Sequence, residues 1–307
     1  MRIILVFVSF LFIFNSCSSV DVVENKDEAG RLIERYSVDK KSKLKDGLHE
    51  AFFISGGKSE ESYYKNGVLR GEQIFYYESG QIQEVRNFDN NGSFSGAYKS
   101  YHETGKLKSE GQYVNGSMNG KWKYFYRTGN IKEIVHFRDN VENGPFIEYY
   151  ENGKISAEGT YVNELEHGVL RGEQIFYYES GQIQEVRNFD NNGSFSGAYK
   201  SYHETGKLKS EGQYVNGSMN GKWKYFYRTG NIKEIVHFRD NVENGPFIEY
   251  YENGKISAEG TYVNELEHGV LKKYNDKGEL TAQMQSENGV CHTVWKSDMN
   301  KDSVKKL

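Results

Sequence analysis

Along this chain apolar and polar residues alternate in short runs that Gly interrupts at nearly regular intervals. Trp122, Tyr124 and Tyr126 stand at alternate positions in a run that ends at Thr128-Gly129, and a second run follows through Phe137. A period of two is the signature of a half-buried strand, and two such runs around Thr-Gly or Asn-Gly predict a β-hairpin. In a type I turn closed by a G1 bulge the residue after the turn needs positive φ, which Gly105, Gly129 and Gly153 would supply without strain. Each return strand carries an aromatic, as at Tyr113, Phe137 and Tyr161, and then Asn and a looser loop are expected before the next unit.

The unit repeats about every 24 residues, opening at Gly47, Gly71, Gly96, Gly120, Gly144, Gly172, Gly197, Gly221, Gly245 and Gly269, with one longer step of 28 from Gly144 to Gly172. Its frame is an opening Gly, an aromatic two positions on, an aromatic pair, a turn Gly and then Ile or Leu. Residues 67–170 also recur without change as 168–271, a shift of 101. Identity at surface and core positions alike reports a recent duplication or an assembly artefact. At the joint Gly168 and Gly172 stand only four apart, so Gly168 to Arg171 are expected to form a loop insertion with a kink.

The fold class that follows is all-β, a tandem array of β-hairpin repeats forming an elongated, twisted antiparallel sheet. Two strands per unit at about 4.8 Å each would make ten units about 95 Å long if straight. The expected organisation is a signal peptide at 1–16, a polar tether at 17–29, the array at 30–292 and a C-terminal cap and tail at 293–307.

Composition agrees with a thin sheet. With 24 Tyr and 18 Phe against 2 Pro, and 36% hydrophobic residues, aromatics carry the burial and little apolar material remains for a central interior. The net charge of −4 is spread along the chain, and no basic patch points to nucleic acid. The Lys pairs at 40–41 and 305–306 read as solvated surface, with contact to anionic lipid as the alternative.

Met1 and Arg2 precede an apolar run from Ile3 to Phe14, then Asn15, Ser16 and Cys17. Twelve residues cover about 18 Å as a helix, short of a hydrocarbon core of about 30 Å, so the run reads as a signal peptide. Phe14-Asn15-Ser16-Cys17 resembles a bacterial lipoprotein box with Cys17 as the lipid attachment residue; cleavage after Ser18 is the alternative. By the same resemblance Ser18 implies an outer membrane lipoprotein of the cell envelope. Lipidation would leave Cys291 the only free cysteine, so no intramolecular disulfide and no metal site is expected, and Cys291-His292 reads as packing at the array's end.

Tyr-Val-Asn-Gly-Ser-Met-Asn-Gly-Lys-Trp-Lys-Tyr-Phe at 113–125 and Tyr-Tyr-Glu-Asn-Gly-Lys-Ile at 149–155 resemble the MORN-variant repeat of the YwqK antitoxin family. The resemblance spans about residues 30–292. It implies an extended antiparallel array that recognises a protein partner, in some relatives a toxin.

No catalytic constellation is legible. Asp89-Asn90-Asn91-Gly92-Ser93 has its Gly at the fourth position and Ser100 at the twelfth, so it reads as a turn rather than a calcium loop. His102 fills an aromatic slot. Glu84, Glu110, Glu133 and Glu158 recur on return strands, where cross-strand pairing with Lys is expected. The richest candidate binding stripe is Trp122, Tyr124 and Tyr126 with Trp223, Tyr225 and Tyr227, and packing against neighbouring hairpins is its alternative. The expectation is a lipid-anchored, non-enzymatic protein-binding module without cofactor, antitoxin-like or immunity-like, with an envelope spacer or a glycan-binding array as alternatives.

Overall fold

The computed structural model describes residues 19–164 and 167–297, which form strands and turns and no helix. They divide into two compact units, one running through Gly105 and one from Lys106. In the first, strands from Val20–Lys26 to Gly96–Tyr101 pair antiparallel in chain order, except that the short strand Val68–Leu69 pairs back on Lys58–Lys65, which pairs onward with Gly71–Tyr76. The second runs the same way from Leu107–Val114 to Val290–Lys296. The architecture is all-β, a tandem array of hairpin repeats.

One repeat explains the rest. The strands Ser117–Phe125 and Ile131–Arg138 meet through a turn in which Tyr126 N donates to Asn130 O and Gly129 N to Tyr126 O, both 2.9 Å. Gly129 has φ 97°, the register slips between Tyr124 and Phe125, and the expected G1 bulge is present. The other end differs from expectation. In place of a loose loop, Asp139 and Asn140 form a two-residue turn with φ 51° and 69°, and the chain pairs again at Val141–Glu142. Asn and Asp tolerate the left-handed region that such hairpin turns require, which is why one or the other opens these turns.

The opening Gly therefore lies inside a strand, at a bulge. Phe137 faces Glu142 and Ile134 faces Ile147, so four residues around Gly144 oppose two on the neighbouring strand. Two extra residues preserve the alternation of faces, because the side-chain period is also two. Trp122, Val135, Phe146 and Ala157 consequently share one face, and all are buried. The core is a strip along that face, continued by Trp223, Val236, Phe247, Ala258 and Leu271.

A second set of glycines makes the strip possible. Gly111, Gly159, Gly212 and Gly260 have ordinary backbone angles, yet a Cβ at Gly111 or Gly212 would fall well inside 3 Å of the Trp122 or Trp223 ring. The ring occupies the place of the missing side chain. In the first unit the equivalent row is polar, with His49 Nδ1 3.1 Å from Ser62 Oγ and His49 Nε2 2.7 Å from Glu34 Oε1. Burial opposes ionisation of Glu34, but hydrogen bonds from Lys45, His49 and Asn25 outweigh it and hold its pKa at about 2.

Two expectations need correcting. The tether assigned to 17–29 contains a strand, Val20–Lys26, paired throughout with Leu32–Asp39. The joint of the duplication is no loop insertion either. The strand Ile155–Glu164 has 10 residues where its counterpart Ile256–Val263 has 8, and His167–Leu170 has 4 where Leu266–Glu267 has 2. The four extra residues lengthen a hairpin by two on each side, and Ile155–Glu164 still pairs onward with Gly172–Tyr177. Pairing the extra backbone satisfies polar groups that a loop would leave to solvent.

Candidate binding surface

The predicted aromatic stripe divides into three environments. Trp122 and Trp223 are each 2% exposed, so both indoles are core and neither is open to a partner. Trp122 meets Tyr113 edge-on at 5.2 Å and stacks on Tyr124 at 6.3 Å. The reason is the bulge, which lifts each Trp over the facing Gly. Tyr124 and Tyr225 are half-buried beside them, and burial followed by Glu234 pushes Tyr225 up to about 12.

Tyr126 and Tyr227 belong instead to the turn edge. Tyr126 Oη donates to Tyr149 O at 2.6 Å, Tyr150 Oη to Tyr177 O at 2.7 Å, and Tyr227 Oη to Tyr250 O at 2.6 Å. The second member of each aromatic pair thus staples its turn to the next repeat, which needs a ring with a donor at its tip. His203 takes this role with Nε2 3.3 Å from Phe226 O, and its duplicate His102 begins the corresponding turn, as an aromatic slot requires.

The return-strand carboxylates behave unequally. Glu110 pairs across strands with Lys123 at 2.7 Å, as expected. Glu84 instead meets Arg86 on its own strand at 2.6 Å, and Glu158 accepts from Tyr177 Oη at 2.6 Å. Glu133 lies directly opposite Glu148. Burial, then the charges of Glu148 and Glu142, raise the Glu133 pKa, and Glu234 is raised in the same way by burial, Glu249 and Glu243. Like charges across a ladder oppose folding unless something offsets them. Glu133 and Glu148 help line an open cleft of about 490 Å³ with Tyr126 and Tyr149. Sequence reading missed this pair because the register depends on the two-residue turn at Asp139-Asn140; counting back from that turn would have placed 133 against 148.

The remaining candidates resolve plainly. Asp89 Oδ1 accepts from Asn91 N at 2.8 Å and Ser93 N at 2.9 Å, so this segment is a side-chain-capped turn. Cys291 Sγ lies 2.7 Å from Glu267 Oε2 and also contacts Ser286, at the last strand. Among the described residues no cluster of His, Cys, Asp and Glu could hold a metal ion. The segment read as a signal peptide, residues 1–16, and Cys17 lie outside the described residues.

Strand order, turn chemistry and period define a β-hairpin repeat protein. A family model, the MORN repeat variant, matches residues 69–90, 95–115, 118–139, 142–163, 170–191, 196–216, 219–240 and 243–264, more than half of the chain. The chain belongs to that family. No curated protein matches it. Among solved structures it is similar to TcdB2-TccC3 without its hypervariable C-terminal region, at 11% identity and TM-score 0.20, covering 92% of this chain and 16% of that one. It is also similar to a porin-like protein from Bacteroides uniformis, at 10% identity and TM-score 0.17, covering 85% and 92%. At such scores neither likeness informs function.

Proposed function

We propose that the chain is a lipid-anchored cell-envelope protein, attached at Cys17 in the outer membrane, whose array binds a protein partner and performs no catalysis. The observation that carries the binding reading is the opposed pair Glu133 and Glu148, repeated as Glu234 and Glu249, with no ion pair on any of the four among the described residues. Like charges set directly opposite one another, with Glu133, Glu234 and Glu249 half-buried and Glu148 exposed, oppose the free sheet and are relieved when a partner brings Lys or Arg against them. A basic, toxin-like protein fits this surface, and the duplication offers it twice. The aromatic contribution comes from Tyr126 and Tyr149 rather than from the Trp residues.

The full chain, used as bait in envelope and cytosolic extracts of the producing species, tests this. One basic protein recovered in near-stoichiometric amount, and lost when Glu133, Glu148, Glu234 and Glu249 are all changed to Gln in a chain with unaltered circular dichroism, is the expected result. Recovery of nothing specific would overturn the protein-binding reading and leave an envelope spacer or a glycan-binding array. The mass of the N-terminal peptide tests the anchor separately.

A further inference from the structure

The strand that replaces the expected tether puts the array close to its anchor. Only Ser18 and Ser19 separate Cys17 from the first strand, so at full extension Cys17 Cα stands within about 11 Å of Val20 Cα. Val20 pairs with Asp39, and Lys40 N donates to Ser19 O at 3.0 Å. The turn that follows, Lys40-Lys41-Ser42-Lys43-Leu44, is therefore at the same end of the first hairpin as the chain's entry.

That turn is unlike the others on its side of the sheet. All five of its residues are exposed, with Lys43 69% and Leu44 47% accessible. Its acidic neighbours are Asp39, whose Oδ1 is occupied by Lys41 N, Ser42 N and Ser42 Oγ, and Asp21, 3.8 Å from Lys40 and 4.0 Å from Lys43. Three ammoniums against two carboxylates leave a positive balance. The equivalent turns at Asn66-Gly67, Asn115-Gly116, Asp139-Asn140, Asn216-Gly217, Asp240-Asn241, Asn264-Glu265 and Asn288-Gly289 contain no Lys. In a chain of net charge −4, the described turns on this side of the sheet carry Lys only at 40–43, in the turn nearest Cys17 in the sequence.

We propose that the turn Lys40 to Leu44 is a membrane-contact surface, in which Lys40, Lys41 and Lys43 bind anionic phospholipid headgroups and Leu44 dips between them. This rests on lipid attachment at Cys17. The contact would fix how the first repeat stands on the bilayer, because an acyl anchor alone permits rotation while a second, charged contact beside it does not.

Full-length lipidated protein in vesicles of phosphatidylcholine, with or without phosphatidylglycerol, supplies the test. Lysines are acetylated with a water-soluble reagent and read by mass spectrometry, with Lys277 in the last repeat as control. Labelling of Lys40, Lys41 and Lys43 should fall by about fivefold on anionic vesicles and recover in high salt, from the usual attraction of one lysine to such a surface. Lys277 should not change. Equal labelling on both vesicle types, in protein that floats with both, overturns the headgroup contact and leaves the anchor standing. Equal protection by soluble glycerol phosphate on phosphatidylcholine vesicles overturns the membrane assignment in favour of a free-anion site. Failure to float with either vesicle, with no lipid mass on the N-terminal peptide, overturns anchor and contact together.

Discussion

Gly111 and Trp122 offer a sharp test of how the core is built. The Trp122 ring lies over Gly111 and is held at its edges by Tyr113 and Phe137, at 5.2 and 6.2 Å between ring centres. A methyl at Gly111 would collide with several ring atoms at once, in a site where the indole is 2% exposed and cannot swing outward without repacking. Gly111→Ala should therefore cost about 3 kcal/mol, the upper end for overpacking. Trp122→Ala alone should cost about 3–5 kcal/mol. With the ring removed, Gly111→Ala should become nearly neutral or slightly stabilising, since Ala reduces the freedom of the unfolded chain. The coupling is then about 3 kcal/mol, far above the scatter of additive pairs. Gly120→Ala is the control. Its φ of 71° makes it cost about 1 kcal/mol, nothing lies within 4 Å of its added methyl, and Trp122→Ala should not alter that cost. Hydrogen exchange read by mass spectrometry suits a repeat array, because the substitution itself distinguishes peptides of its copy from identical ones in the other. An additive Gly111–Trp122 cycle would refute the account of the core.

Three further outcomes follow from named contacts. Gln174 is fully buried at the duplication joint, with Nε2 2.7 Å from Arg171 O and Oε1 3.2 Å from Thr160 N, whereas its duplicate Gln73 is half-buried and donates to Glu60. Gln174→Ala should lower stability by about 2 kcal/mol and Gln73→Ala by about half as much, measured by urea unfolding. Tyr126→Phe removes the 2.6 Å bond to Tyr149 O and should cost about 1 kcal/mol, with faster amide exchange confined to the turn edge of that repeat. For acid, Glu34 is held at about 2 against a free value of 4.5, so its contribution is fully present above about pH 4.5 and is lost as pH falls through about 2. After allowance for solvent screening it amounts to about 1–2 kcal/mol, and Glu34→Gln should flatten the stability profile across that window.

The alternation of residues and the Gly-marked turns were enough to establish strands, hairpins, the 24-residue period and the family, because these are local properties written into each repeat. Positive φ at Gly105, Gly129 and Gly153 was likewise readable from turn chemistry alone. The two-residue turns at Asp139-Asn140 and Asn264-Glu265 were not, since they lack the Gly that signals such turns, and the Asn-Gly at 115–116 was read as part of a looser loop. Missing them hid the bulge at each opening Gly, and with it the register across repeats. That register decides which residues meet. It sends Trp122 and Trp223 into the core, sets Glu133 against Glu148, and turns Tyr126 into a staple.

The joint shows the same division. Gln73 and Gln174 have identical flanking sequence on their C-terminal side, yet one bonds a carboxylate and the other is buried among backbone groups, because different repeats precede them. By itself the sequence determined what each repeat is, through period, turn residues and the supply of aromatics. Only the tertiary structure decided what each side chain faces, because a cross-strand neighbour is set by bulges and turn lengths two strands away.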